Sequence, residues 1–165
     1  MSKEIIMRKY LLIVLPLLLI VGCSKEPRID EETLIEKNGL MYHPETKKLY
    51  SGIALDSWEE TIPPYEGGTG KSEAVYKDGI RWSMTVWRFY PTGEMHEEIH
   101  YKEGRREILT SWYRNGQKGW ENTYKDGNIA FFTEWYENGQ KKTEGNLTNP
   151  SEKWKKWNED GSLKE

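Results

Sequence analysis

The stretch SWYRNGQKGWENTYKDGNIAFFTEWYENGQ, residues 111–140, decides how this chain folds. Tyr113-Arg-Asn-Gly116 and Tyr136-Glu-Asn-Gly139 stand 23 residues apart, with Tyr124-Lys-Asp-Gly127 about midway between them. Each Asn-Gly or Asp-Gly pair is a hairpin signal, because glycine accepts the positive φ such turns need. The tracts between turns are too short for helices and are rich in Trp, Tyr, Phe, Thr and Ile, residues that suit strands. One strand and one turn therefore occupy each half of the 23-residue unit.

Working outward, the unit recurs. Tyr90-Pro-Thr-Gly93 opens the first series 23 residues before Gly116, and Tyr101-Lys-Glu-Gly104 lies 23 residues before Gly127. Tyr76-Lys-Asp-Gly79 extends the second series upstream, displaced by two residues. Phe89, Trp112 and Trp135 precede the first series at the same period, Trp157 follows 22 residues later ahead of Gly161, and Tyr65-Glu-Gly-Gly68 reads as an earlier, degenerate copy. Fixed periodicity of this length marks a repeat architecture. The expectation is an all-β, elongated antiparallel meander over residues 34–165 that adds one hairpin per 23 residues.

The pattern Tyr-x-Asn-Gly-x-x-x-x-Glu-Gly-x-Leu, seen in Tyr136-Glu-Asn-Gly139-Gln-Lys-Lys-Thr-Glu144-Gly145-Asn-Leu147, resembles the bacterial variant of the MORN repeat found in YwqK-like antitoxin components. The resemblance covers roughly residues 38–165 and departs from the pattern at an insertion with Pro63-Pro64 and at Thr148-Asn-Pro150. It implies extended hairpin sheets without catalysis that serve as contact surfaces for proteins or lipids, and an immunity- or antitoxin-like role.

The N-terminus carries Lys3, Arg8 and Lys9, an apolar run from Tyr10 to Val21, and Gly22-Cys23-Ser24. This is the layout of a secretory signal, too short to span a bilayer. Ile20-Val21-Gly22-Cys23 resembles the lipobox of bacterial lipoproteins, which implies a helical signal peptide over residues 1–22, lipidation of Cys23 and membrane attachment through that lipid. The expected location is the cell envelope outside the cytoplasm, at the outer membrane if the cell is Gram-negative. Cleavage there leaves 165 − 22 = 143 residues with a net charge of 21 − 26 = −5. A mildly acidic chain has no general attraction for nucleic acid or anionic lipid. With Cys23 the single cysteine, no disulfide is available. Residues 23–33 are charged and read as a flexible tether reaching some 30 Å at about 3.4 Å per residue.

Two motifs carry the letters of chemistry. His96-Glu97-Glu98-Ile99-His100 matches the H-E-x-x-H pattern of zinc proteases, which needs a helix to stack its histidines. Aligned with Gly116–Gly127, the segment between Gly93 and Gly104 reads instead as a surface strand whose histidines lie about 13 Å apart. Gly67-Gly68-Thr69-Gly70-Lys71-Ser72 has the end of a phosphate-binding loop but lacks its first glycine and its flanking strand and helix. The paired acids Glu59-Glu60 and Glu97-Glu98 read as solvated faces. No catalytic residue, metal ligand or cofactor is expected.

What remains is the aromatic rows. Neighbours on a strand point to opposite faces, so Trp112 with Tyr113, and Trp135 with Tyr136, cannot serve one core. Trp58, Tyr65, Tyr90, Trp112, Tyr113, Trp135 and Tyr136 are the candidate partner-binding residues. Two readings follow: a lipid-anchored module that docks a protein partner, or an envelope glycan binder that uses exposed Trp and Tyr as sugar platforms.

Overall fold

The computed structural model describes residues 27–61, 66–149, 151–152 and 154–164. Cys23 and Tyr65, the expected lipidation site and one candidate contact, lie outside the described residues, as does the expected signal peptide. Apart from one 3₁₀ turn, the regular secondary structure of the described residues is all strand. In order come β1 (Arg28–Asp30), a 3₁₀ turn (Glu31–Thr33), β2 (Ile35–Lys37), β3 (Leu40–Tyr42), β4 (Gly52–Glu59), β5 (Thr69–Lys77), β6 (Ile80–Phe89), β7 (Met95–Lys102), β8 (Arg105–Trp112), β9 (Lys118–Lys125), β10 (Asn128–Trp135), β11 (Lys141–Asn146) and β12 (Lys155–Lys156). One ten-stranded sheet runs β1-β4-β5-β6-β7-β8-β9-β10-β11-β12, and β2 and β3 form a separate hairpin. From β4 onward every neighbour is antiparallel and consecutive in the chain, so the all-β meander is as expected.

The two glycine series build two kinds of turn on the two long edges of the sheet. Along one edge Asp78-Gly79, Glu103-Gly104 and Asp126-Gly127 are two-residue loops with positive φ at both positions, the type I′ geometry that matches strand twist. Along the other, Gly93, Gly116, Gly139 and Gly161 each donate N–H to the carbonyl three residues earlier at 2.8–2.9 Å, closing type I turns in which the glycine alone has positive φ. Asn115 and Asn138 add a side-chain bond to the backbone N–H two residues on, at 3.0 and 2.9 Å. The bulges share the period. His96, Gly119 and Lys142 are skipped in the cross-strand register 23 residues apart, as are Glu107 and Ala130. Trp82 is skipped too, two residues short of its expected place, like the displaced Gly79.

Register assigns the faces. Ser72, Val86, Ile99, Leu109, Asn122, Phe132 and Gly145 lie opposite one another in one row of the core face. There Val86, Ile99 and Leu109 are buried beneath Trp58, Trp120 and Tyr124. At the N-terminal end a second cluster buries Tyr50, Ala54, Ala74 and Tyr76, packed by Ile29, Leu34 and Met41. At both ends of this face an indole covers a glycine. A Cβ on Gly70 would stand 2.2 Å from Trp58, and one on Gly145 2.7 Å from Trp154.

Several details differ from the sequence reading. Of the tether, residues 28–33 belong to the fold: β1 pairs parallel with β4, the Pro27 carbonyl accepts from Ile53 N–H at 2.8 Å and Tyr50 Oη at 3.0 Å, and Glu31 accepts from Tyr76 Oη at 2.5 Å. The strand holding His96 and His100 is interior to the sheet, with Glu97 and Ile99 buried. Glu60 and Glu97 are not solvated. Both grip Arg88, at 3.1 and 2.8 Å, and Glu60 also accepts from Trp58 Nε1 at 3.0 Å. A buried carboxylate persists only with such partners. The glycine-rich stretch ends in a hairpin closed by Gly67 and Glu60, and β5 runs straight through Lys71 and Ser72.

Candidate functional site

The face opposite the core carries two periodic rows. In the outer row Phe89 pairs across strands with Met95, Trp112 with Lys118, and Trp135 with Lys141. Each lysine then reaches forward to the next aromatic ring. Lys118 Nζ stands 5.5 Å from the Trp135 centroid and Lys141 Nζ 5.8 Å from that of Trp157. Lys71 begins the series over Trp87 and Phe89, at 5.3 and 5.2 Å. Such contacts contribute about 0.5–1 kcal/mol at exposed sites, enough to set ring orientation and leave the surface open. Rings and ammonium groups therefore alternate from Trp112 to Trp157, while Met95 takes the lysine's place beside Phe89.

An inner row runs unbroken from Lys71 through Trp87, Glu98, Thr110, Glu121, Thr133 and Glu144 to Lys155. Glu98, Glu121 and Glu144 occupy the same place in three successive repeats. Glu98 accepts from Trp87 Nε1 at 2.9 Å, Glu121 from Thr110 at 3.2 Å and Lys118 at 2.5 Å, and Glu144 pairs with Lys141. The Lys141 ammonium, helped by Lys155, holds the Glu144 carboxyl below its ordinary range. Surface pairs of this kind add at most about 1 kcal/mol each. They fix position more than they stabilise. The principal contacts of β6 to β11 are with their sheet neighbours.

The candidate residues divide accordingly. Trp112 and Trp135 are half-buried members of the strip. Tyr113 and Tyr136 work within the array, donating through Oη to the backbone carbonyls of Trp135 and Trp157, one repeat on, both at 2.9 Å. Asn115 and Asn138 make parallel bonds to Glu137 and Glu159, at 2.7 and 2.8 Å. Tyr90 begins the tyrosine series differently, its ring lying edge-on to His96 at 4.5 Å with the Arg114 guanidinium 4.3 Å from its centroid. Trp58 lies on the core face over Gly70, apart from the strip. Sequence reasoning named the aromatic members and missed Lys71, Lys118, Lys141 and the three glutamates. Lys118 and Lys141, and Glu98, Glu121 and Glu144, share the 23-residue spacing that would have found them.

Beside the N-terminal edge strand, Asp30, Glu32, Leu55, Lys71, Glu73 and Trp87 line an open groove of about 610 Å³. His96 and His100 sit in separate surroundings: His100 contacts Thr85 at 3.2 Å and Glu98 at 3.4 Å. Among the described residues no group of three or more His, Cys, Asp and Glu side chains is placed to hold a metal ion.

No family model and no curated protein matches the chain. Among solved structures, a mutant of S. aureus TarM in complex with fondaparinux, α-GlcNAc-glycerol and UDP aligns over 76% of this chain and 21% of that one, at 13% identity and a TM-score of 0.31. A likeness that weak carries no argument about this chain.

Proposed function

We propose that the chain is a non-catalytic, lipid-anchored binding module of the cell envelope, attached through Cys23, whose alternating aromatic and lysine strip docks a protein partner. One observation carries the reading. Phe89, Trp112, Trp135 and Trp157 recur on one face, with Lys71 ahead of the first ring and Lys118 and Lys141 between the later ones, while Tyr113 and Tyr136 are engaged in joining one repeat to the next. Aromatic rings on a solvent face are the anchors of a binding surface, and the lysines beside them set the charge of the partner that the strip attracts. A partner with an acidic, apolar edge complements it. If the resemblance to MORN-type antitoxin components extends to function, that partner is a toxin.

The test is site-specific photocrosslinking in native membranes. Probes at positions 118 and 141 should capture one protein that probes at 115 and 138 do not, and Trp135→Ala should weaken the capture about tenfold or more, as a central aromatic anchor does. Capture from the turn positions but not from the strip would sink the proposal.

A second reading rests on the groove. Trp87 borders it among Ser57, Lys71 and Glu73, a ring and polar groups arranged as a sugar-binding floor. Binding of envelope glycan fragments lost in Trp87→Ala and retained in Trp135→Ala would favour that reading over the first.

A further inference from the structure

Pro27 fixes where the chain enters the fold. Its carbonyl binds Ile53 N–H and Tyr50 Oη, while the Tyr50 carbonyl accepts from Gly79 N–H at 2.8 Å. The entry point therefore lies on the edge of type I′ turns, beside Asp78-Gly79. Cys23 is four residues away. At about 3.4 Å per residue those four links reach no more than ~14 Å. This edge therefore cannot stand far from whatever holds Cys23.

The same edge has an unusual surface. Leu49, Ile80 and Trp82 are exposed by 42%, 60% and 37%. Leu49 packs where a Cβ on Gly79 would stand, and Trp82 lies between Lys77 and Lys102, 4.1 and 5.9 Å from its ring centroid. Around them stand Lys47, Lys48, Lys77, Arg81, Lys102 and Arg105 against Glu31, which pairs with Arg81 at 3.8 Å, and Glu45, Asp78 and Glu103, a local charge of 6 − 4 = +2 on a chain that is acidic overall. Composition averaged over the whole chain hid this cluster. An exposed indole with aliphatic side chains inside a ring of lysines is what a bilayer interface accommodates, the ring at headgroup depth and the cations on anionic phosphate.

We infer that the domain lies edge-on against an anionic phospholipid bilayer, through the Asp78-Gly79 and Glu103-Gly104 hairpins; the inference rests on the lipid anchor proposed above. The short link places these two turns at the surface, and the lysines and Trp82 hold them there. Sheet twist of about 20° per strand carries later hairpins progressively away, so contact fades toward Asp126-Gly127. The opposite edge, with Gly116 and Gly139, faces away from the lipid.

Hydrogen exchange on the purified lipidated chain tests this, in vesicles of phosphatidylcholine with phosphatidylglycerol and in phosphatidylcholine alone. Amides of residues 77–82 and 101–105 should exchange more slowly in the anionic vesicles than in the Cys23→Ser chain in solution, while residues 113–117 and 136–140 exchange equally in both. Each lysine near an anionic surface is worth about a fivefold shift. The K77E/K102E pair, which removes both lysines and adds two repelled carboxylates, should therefore weaken the protection by about 25-fold or more while mass spectrometry still finds lipid on Cys23. A lipidated chain whose two edges exchange alike, or whose protection survives the charge reversal, overturns the orientation alone. A chain without lipid on Cys23 that stays in solution overturns the anchor and the orientation together.

Discussion

The two ends of the sheet hold together by different means. At the N-terminal end, β1 extends the sheet beside β4, and Tyr50, Ala54, Ala74 and Tyr76 are buried under Ile29, Leu34 and Met41. From β8 onward the sheet is a single layer joined by recurring bonds: Tyr113 to Trp135, Asn115 to Glu137, Tyr136 to Trp157, Asn138 to Glu159. Burial is concentrated and cooperative, whereas nearest-neighbour bonding is distributed and modest per repeat. The difference teaches that the first end should set global stability and the second should fray in steps.

Tyr76→Ala would break that contrast most severely if it proved mild. Tyr76 is 3% exposed, and its hydroxyl secures Glu31 in the docked N-terminal segment. Truncating a buried aromatic costs about 3–5 kcal/mol, and here the cavity also unseats the segment that enters beside it. Urea unfolding should show the loss in the midpoint of the whole transition.

Next in size is Gly145→Ala. Its methyl would stand 2.7 Å from the Trp154 ring, which the backbone can relieve only by releasing the indole. Overpacking of this kind costs about 1–3 kcal/mol. Because Trp154 caps the far end, accelerated exchange should be confined to β11 and β12, with Ala54 and Ala74 amides unaffected. Loss of protection throughout would mean the two ends are one cooperative unit.

Much of this is legible in the residues themselves. The 23-residue spacing of Tyr-x-Asn-Gly announces the strands and turns of the repeat region, because glycine and alternating aromatics constrain backbone locally. What required register was not readable. Glu97 looked like an exposed acid until pairing placed Arg88 opposite it. The three-residue parallel contact of β1 has no sequence period at all, so Arg28–Asp30 passed as tether. Asn-Gly and Asp-Gly alike signal hairpins, yet Asn115-Gly116 and Asn138-Gly139 close longer type I turns while Asn38-Gly39, Asp78-Gly79, Glu103-Gly104 and Asp126-Gly127 form two-residue loops, because loop length decides the type.

The tyrosine series supplies a finer comparison. Tyr113→Phe and Tyr136→Phe each remove one hydroxyl that joins successive repeats, an expected loss of about 1 kcal/mol apiece. Tyr90→Phe keeps the ring between His96 and Arg114 and should change thermal stability by a few tenths of a kcal/mol at most, as ring contacts alone predict. Equal losses at all three positions would show that the hydroxyl bonds are incidental.

The smallest effect singles out the first repeat by pH. The bulge position against each tyrosine ring holds His96 in the first copy, Gly119 in the second and Lys142 in the third, so only the first titrates near neutrality. Burial lowers the His96 pKa, Glu97 opposes the shift, and Arg88 and Arg114 add to it. A histidine whose folded pKa lies below its unfolded value of about 6.5 adds stability above that value and loses it as pH falls through the folded pKa. The unfolding midpoint should therefore decline as pH falls below about 6.5, before the carboxylates titrate. His96→Gln should flatten that slope while leaving the neutral-pH value nearly unchanged. A slope that persists in the variant would place the titrating group elsewhere and remove the distinction between the first repeat and its copies.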